Sequence, residues 1–230
     1  MSEPKVEAII PVRAGSERVK NKNTRAFAGS TLLEIKIRQL LSVPEIARVH
    51  VSSEDAAMLD LAERSGAVPH QRDPYFATSE VPMSDVYAYM AGQVGAEHVL
   101  LTHVTNPLAG PRAYSDCIHS YFDGSGRFDS LTTVADVKDF LYWGGKPVNF
   151  DPTRKPRSQD LPDIVKLTHV VSIAPRQMVV STKQWFGPNV RFLHLDAIES
   201  FDIDTPLDFE MAEFLYIKHF VPSRDHGQPQ

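Results

Sequence analysis

Two rhythms of apolar residues alternate along the chain. Ala8-Ile9-Ile10 is a short continuous apolar run, the signature of a strand buried on both faces, and it breaks at Pro11. Over residues 31–42 the rhythm changes to a roughly helical stripe of Leu32, Ile35, Leu40 and Leu41, with Ser30 or Thr31 as cap, Glu34 in the first turn and Val43-Pro44 as stop. Arg48-Val49-His50-Val51-Ser52 alternates and predicts a second strand; Ser53-Glu54-Asp55 opens a second helix near 55–65, ended by Gly66; Ala67-Val68-Pro69 reads as a third strand. Strand, helix, strand, helix, strand is the order of a βαβ series with right-handed crossovers and a parallel sheet. Further on, the pattern predicts helices near 84–94 and 111–122, strands over 98–104, 130–134 and 170–174, and a last helix over 207–219. Residues 136–168 break the rhythm with Trp143-Gly144-Gly145, several prolines and the basic run Arg154-Lys155-Pro156-Arg157, and they predict an irregular excursion from the sheet, a small hairpin lobe.

Composition narrows the class. A chain of 230 residues allows one α/β domain, or one with a small lobe. The formal net charge of −5 weighs against a general nucleic-acid binder, and no apolar run approaches the roughly 20 residues that span a bilayer. The first residues, MSEPKVEAII, lack a basic region followed by a long apolar core, so no secretory signal is expected and a cytoplasmic address fits. Cys117 is the single cysteine, which excludes a disulfide framework or a cysteine-rich metal site within one chain.

Two stretches carry candidate chemistry. After the first strand comes a loop holding Arg13, Gly15, Ser16, Arg18, Lys20 and Lys22. Gly15 permits a sharp turn that lets backbone N–H groups face an anion, while arginine forks and lysine point charges suit phosphate oxygens. A cationic loop at the carboxyl end of a first strand is where open α/β sheets bind ligands. It is neither a GxxxxGK[ST] nor a GxGxxG loop, and a solvated basic turn is the plain alternative. The second stretch is Phe201-Asp202-Ile203-Asp204-Thr205-Pro206. Read as a strand, it projects Asp202 and Asp204 from one face, a pair of oxygen donors suited to Mg²⁺. The competing reading is a helix cap, since Asp-Thr-Pro is a common helix start, and both can hold at once.

The residue order RxGSxRxxxKN, following an apolar strand and preceding a glycine turn and a helix, resembles the opening of the CMP-sialic acid synthetase (acylneuraminate cytidylyltransferase) family, which is related to the CMP-Kdo synthetases. FDIDTPLDFEMAE is similar to that family's metal-binding signature, with Phe201 as a departure at its start; VSSEDAAMLDLAERSGA, RDPYFATSEVPMSDV, VLLTHVTNPLAGPR and RSQDLP resemble its intervening segments in register. The resemblance implies a Rossmann-like, mostly parallel sheet with helices on both faces, one nucleotidyltransferase domain over 1–230, and a dimerisation and acceptor lobe at about 136–168. It implies transfer of CMP from CTP to an acidic acceptor with loss of pyrophosphate, in a Mg²⁺-dependent cytoplasmic homodimer. Arg13, Lys22 and Asp204 take catalytic roles by this resemblance. Arg13, Ala14, Gly15, Ser16, Arg18, Lys22, Asn23, Arg72 and Ser84 match nucleotide-binding positions, Asp202 and Asp204 metal positions, and His103, Lys166 and His169 acceptor positions. His103, Ala109 and Thr168-His169 depart from the family pattern on the acceptor side, so the acceptor stays open among sialic, legionaminic and pseudaminic acids, Kdo and phosphonates. A nucleotide-binding regulator without catalysis is the remaining alternative.

Overall fold

A computed structural model describes residues 5–15, 18–123 and 126–221. The first strand, β1 (Val6–Pro11), is the centre of the molecule. Its apolar residues alternate between two cores: Val6, Ala8 and Ile10 face one, Ile9 the other. That two-sided burial is why the run is continuously apolar. After β1 come β2 (Ala26–Phe27) and β3 (Ser30–Thr31), which pair as a small hairpin, and then α1 (Leu32–Leu41). The Thr31 hydroxyl accepts the Glu34 N–H and caps α1. The series continues with β4 (Ile46–Ser53), α2 (Ala56–Arg64), β5 (Val68–Gln71), α3 (Met83–Gly92), β6 (His98–Leu101), α4 (Pro111–Asp123) and β7 (Ser130–Val137). A second hairpin, β8 (Tyr142–Trp143) with β9 (Lys146–Pro147), precedes β10 (Ile164–Pro175), α5 (Arg176–Thr182), β11 (Val190–His194) and α6 (Pro206–Phe220).

Seven strands form one sheet in the order β11-β7-β10-β6-β1-β4-β5. β10 runs antiparallel to both its neighbours, β6 and β7, and every other pairing is parallel. Helices α1, α2, α4 and α6 pack on one face through residues such as Leu33, Ala62, Ile118 and Phe209. Helices α3 and α5 cover the other through Met90 and Val179. Cys117 is fully buried in the α4 core, and burial raises its thiol pKa; it is a packing residue.

The structure departs from the sequence pattern in four places. Residues 201–205 lie outside the sheet ladder, so Asp202 and Asp204 do not sit on a strand, although the buried Ile203 between two half-exposed aspartates keeps the expected alternation. β6 ends at Leu101, because residues 102–108 turn away from the sheet. The excursion is shorter than 136–168, since β7 runs to Val137 and β10 begins at Ile164. Helix α5 and strand β11 are the elements the pattern misses. α5 is only seven residues long and carries β-branched Val179, Val180 and Thr182, and β11 is an edge strand whose Phe192 is half-exposed.

Two polar residues on the buried side of α1 explain how residues 102–108 leave the sheet without stranding their carbonyls. Lys36 Nζ donates to the Asn106 carbonyl (2.8 Å) and to the Tyr114 hydroxyl, and Gln39 Nε2 donates to the Pro107 carbonyl (2.7 Å). Lys36 is fully buried beside the Tyr114 ring, and burial lowers its pKa from 10.5 to about 7. Between those two values the unfolded chain holds a proton that the folded chain has released, so raising the pH through this window favours the fold. The stability of the wild type relative to Lys36→Met should therefore rise between about pH 7 and pH 10. Urea midpoints of the two proteins across that range measure it, and a pH-independent difference would refute it.

Candidate active site

The loop after β1 is built around three anchors. Val12 N–H donates to the Ser52 carbonyl (3.0 Å), which carries the chain past the end of the sheet. Val19 is buried in the main core and fixes the middle of the loop. Asn23 is buried at its far end; its Nδ2 donates to the Arg13 carbonyl (3.1 Å) while its own carbonyl accepts from Leu33 N–H (3.1 Å), tying both ends of the loop to the start of α1. Gly15 adopts φ 76°, the left-handed region that glycine enters without strain. The neighbouring Ala14 N–H donates to Glu54 Oε1 (2.8 Å).

From this frame the cations reach toward the far end of the sequence. Lys22 Nζ donates to the Ile203 carbonyl (2.6 Å), and Arg18 pairs with Asp204 Oδ1 at 2.9 Å. The segment that carries the aspartates is fixed in turn from below. Ile203 N–H donates to the Thr105 carbonyl (3.0 Å), and Asn106 Nδ2 reaches the Phe201 carbonyl (3.2 Å) and Asp202 Oδ1 (3.4 Å). Thr205 caps α6 through a reciprocal box: its hydroxyl accepts Asp208 N–H while the Asp208 carboxylate accepts the N–H groups of Asp204 and Thr205. The helix-cap reading holds, carried by Thr205 and Asp208, and the Asp202 and Asp204 carboxylates take no part in the cap.

Three cavities border this junction and a fourth cleft lies apart from it. One of about 360 Å³ is lined by Arg13, Arg18, Lys22, Asn23, His103 and Thr105. A neighbour of about 540 Å³ shares Arg13, Arg18 and His103 and adds Arg72, Phe76 and Ser79. A third, of about 510 Å³, lies on the other side of the aspartates and is lined by Lys166, Asp136, Asp196, Phe201 and Asp202. Ser84 and His169 line a fourth, smaller cleft of about 220 Å³ beside Trp185. Asp204 pairs with the cationic cavity while Asp202 faces the third, so the two carboxylates stand at the border between them.

The electrostatics follow from this packing. Burial lowers the Lys22 pKa, while Asp202 and Asp204 oppose that shift. Burial also lowers the Arg72 pKa; its guanidinium is spent on Ser52 and on the Val12 carbonyl (3.1 Å), bracing the start of the loop from within. His103, at the floor of two cavities, is pushed down to about 4 by burial and by His169, Lys36 and Lys22. Its ring centroid lies 6.0 Å from that of His169. His169 owes its place to a break in β10: the register shifts between Leu167 and Ser172, and His169 takes φ 56°. Thr133 pins the break, its hydroxyl accepting from Val171 N–H (3.0 Å) and Thr168 Oγ1 (2.7 Å).

The structure therefore brings together Arg13, Arg18, Lys22, Asn23 and His103 and sets Asp202 and Asp204 against them. Lys166 joins Asp202 in the third cavity. Arg72 lines the neighbouring cavity while bracing the base of the loop, Ser84 lies in the separate cleft, and Ser16 falls outside the described residues. Sequence reasoning missed Asn106 and Glu54. Asn-Pro directly after an apolar strand signals a sharp turn, but not that its amide would hold the aspartate segment. Among the described residues no cluster of three or more His, Cys, Asp or Glu side chains can hold a metal ion. The fit is to an ion that needs fewer protein ligands: Mg²⁺ is held by one or two carboxylates, with water and substrate phosphates completing its shell, and two half-exposed aspartates beside a cationic cavity offer that donor set.

A family model described as cytidylyltransferase matches residues 7–160, which include the cationic loop and stop short of the aspartate segment. The CMP-N,N'-diacetyllegionaminic acid synthase of Legionella pneumophila is 29% identical over 228 residues, covering 92% of this chain and 96% of its own. A pseudaminic acid cytidylyltransferase of Campylobacter jejuni is 26% identical, covering 90% of this chain and 94% of its own. Among solved structures, a CMP:2-keto-3-deoxy-manno-octonic acid synthetase complexed with CTP superposes with a TM-score of 0.72 at 17% identity, over 93% of this chain and 99% of that one; at that identity the likeness is one of fold.

The depressed pKa of His103 gives a direct test of the site's interior. Its ring resonances should stay flat as pH falls from about 8 to 5.5 and move only near pH 4. The unfolded imidazole takes up a proton near its ordinary pKa of 6.5, so between that pH and about 4 the wild type should lose more stability than His103→Gln does. A ring that titrates near neutrality would contradict this burial.

Proposed function

This chain belongs to the cytidylyltransferase family, and from that premise we propose that it moves CMP from CTP to a nonulosonic acid of the sialic, legionaminic or pseudaminic kind, releasing pyrophosphate. The observation that carries the reading is the junction of Arg18 with Asp204 and of Lys22 with the Ile203 carbonyl, which sets a phosphate-binding loop against a carboxylate pair. The names of the relatives from Legionella and Campylobacter support the acceptor class.

The division of labour follows the cavities. Arg13, Arg18 and Lys22 face the triphosphate and neutralise the charge that builds on pyrophosphate as it leaves. Asn23 and Gly15 hold the loop backbone in place for the phosphates, with Arg72 bracing its base. Asp202 and Asp204 hold Mg²⁺, which when bound supplies a Lewis acid at the phosphates. The acceptor occupies the cavity beyond Asp202, with Lys166 receiving its carboxylate. His103, at the floor of the two cationic cavities, is held neutral by burial, and there it exchanges hydrogen bonds with hydroxyl groups and contributes no charge. That property suits a polyhydroxylated sugar acid better than a phosphonate dianion. The hairpin β8–β9 and its flanks form a dimerisation lobe inserted in a single nucleotidyltransferase domain, with Trp143 84% exposed at the hairpin as a contact for a second copy. The net charge of −5 speaks against nucleic acid as a partner. No helix among the described residues is long and apolar enough to cross a membrane, and the proposed setting is the cytoplasm, where the co-substrate CTP is made.

Pyrophosphate release from CTP with a panel of sialic, legionaminic and pseudaminic acids, Kdo and a phosphonate tests the reading. One of the nonulosonic acids should turn over, and Arg13→Ala and Asp204→Ala should each lower its rate by about 10²–10³ with folding intact. CTP binding without turnover for any acid would point to a regulator, and near-native rates in either variant would remove the proposed roles.

A further inference from the structure

Helix α6 is apolar on two opposite sides. Phe209, Ala212 and Tyr216 enter the core, where Phe209 and Tyr216 each meet the Phe27 ring edge-on. The opposite side carries Leu207, Met211, Phe214 and Ile217 at helical spacing, with Val221 at the C-cap just beyond, and all are at least 41% exposed, Phe214 the most at 67%. Glu210 and Lys218 are the charged residues within this stripe. A soluble protein seldom leaves so continuous an apolar strip uncovered.

The stripe is self-complementary. When two copies of a helix pair antiparallel about a twofold axis at Phe214, each residue faces the one equally far on the other side of that centre. Phe214 then meets its own copy, Met211 meets Ile217, and Leu207 meets Val221. Glu210 meets Lys218, so the two charged positions oppose each other with opposite sign, twice across the axis. Every apolar position finds an apolar one. Each of these half-exposed side chains hides on the order of 100 Å² on contact, so the two stripes together bury about 1,000 Å², the lower bound for a specific interface. Residues 222–230, PSRDHGQPQ, contain no large apolar side chain to pack on the stripe. A membrane-surface helix is a poorer match, because such helices are rich in lysine and arginine and this stripe carries a glutamate near its middle.

We propose that the outer face of α6 is an interface between two copies of this chain, paired antiparallel about Phe214 and kept in register by Glu210 and Lys218. The face lies on a different element from the β8–β9 lobe, so this contact is independent of any pairing through that lobe. It also leaves the residues of the candidate active site untouched, and turnover should survive its disruption.

Sedimentation of the full chain tests the pairing. Phe214→Glu should halve the mass seen for the wild type at the same concentration, with an unchanged melting curve. Glu210→Lys and Lys218→Glu should each weaken association by roughly tenfold, since each sets like charges against each other at both ends. Mixing those two single variants, or combining them as E210K/K218E in one chain, should restore it, because the antiparallel register again opposes unlike charges. An unchanged mass for Phe214→Glu, or a double swap that remains as weak as the single ones, would overturn the proposal.

Discussion

A lysine side chain bonded to a backbone carbonyl 181 residues away holds the working end of this molecule together. Lys22 donates to Ile203, Arg18 pairs with Asp204 beside it, and the loop after β1 is thereby tied to the segment that opens α6. The ion pair is solvent-exposed, with side chains 70% and 50% accessible, so by itself it adds little to stability. Its importance is positional. It fixes the distance between the cationic loop and the segment that carries Asp202 and Asp204, and on the proposed reading the triphosphate would lie between them. Burial lowers the Lys22 pKa, and the charges of Asp202 and Asp204 oppose that shift.

Under this junction runs a second layer that is polar and almost dry. Residues 102–108 leave the sheet at the end of β6, and their carbonyls find donors on α1 rather than on a neighbouring strand. Asn106 carries the arrangement upward: its carbonyl rests on Lys36 while its amide reaches Phe201 and Asp202. A helix on the far side of the core therefore sets the height of the carboxylate segment. Lys36 does this without a carboxylate partner, relying on a carbonyl and a phenol, which is why its proton is so weakly held.

Much of this was legible from residue order. The continuous apolar run of β1 gave away a strand buried on both sides, and the cations placed just after it line the cavities at that end of the sheet. The aspartate segment was legible through composition and misread in form: alternation suggested a strand, whereas Ile203 is buried because it packs under the helix start and bonds to Thr105. What stayed hidden depends on contacts that no local pattern encodes. Arg72 lines the cavity it shares with Arg13 and Arg18, but no local pattern signals that its guanidinium also bonds the Val12 and Ser52 carbonyls. Ser84 reads as a nucleotide contact, yet it lines a cleft shared with His169. β11 has an ordinary strand composition, but as an edge strand it shows half its apolar side to solvent and so loses its signature.

One small contact in the loop bears on how the protein lets go of what it holds. The Ala14 amide, at the turn made by Gly15, already donates to the carboxylate of Glu54. On the proposed reading, in which this loop meets a triphosphate, a phosphate oxygen reaching the Ala14 amide would compete with the Glu54 carboxylate for it, so the protein carries its own rival for that donor.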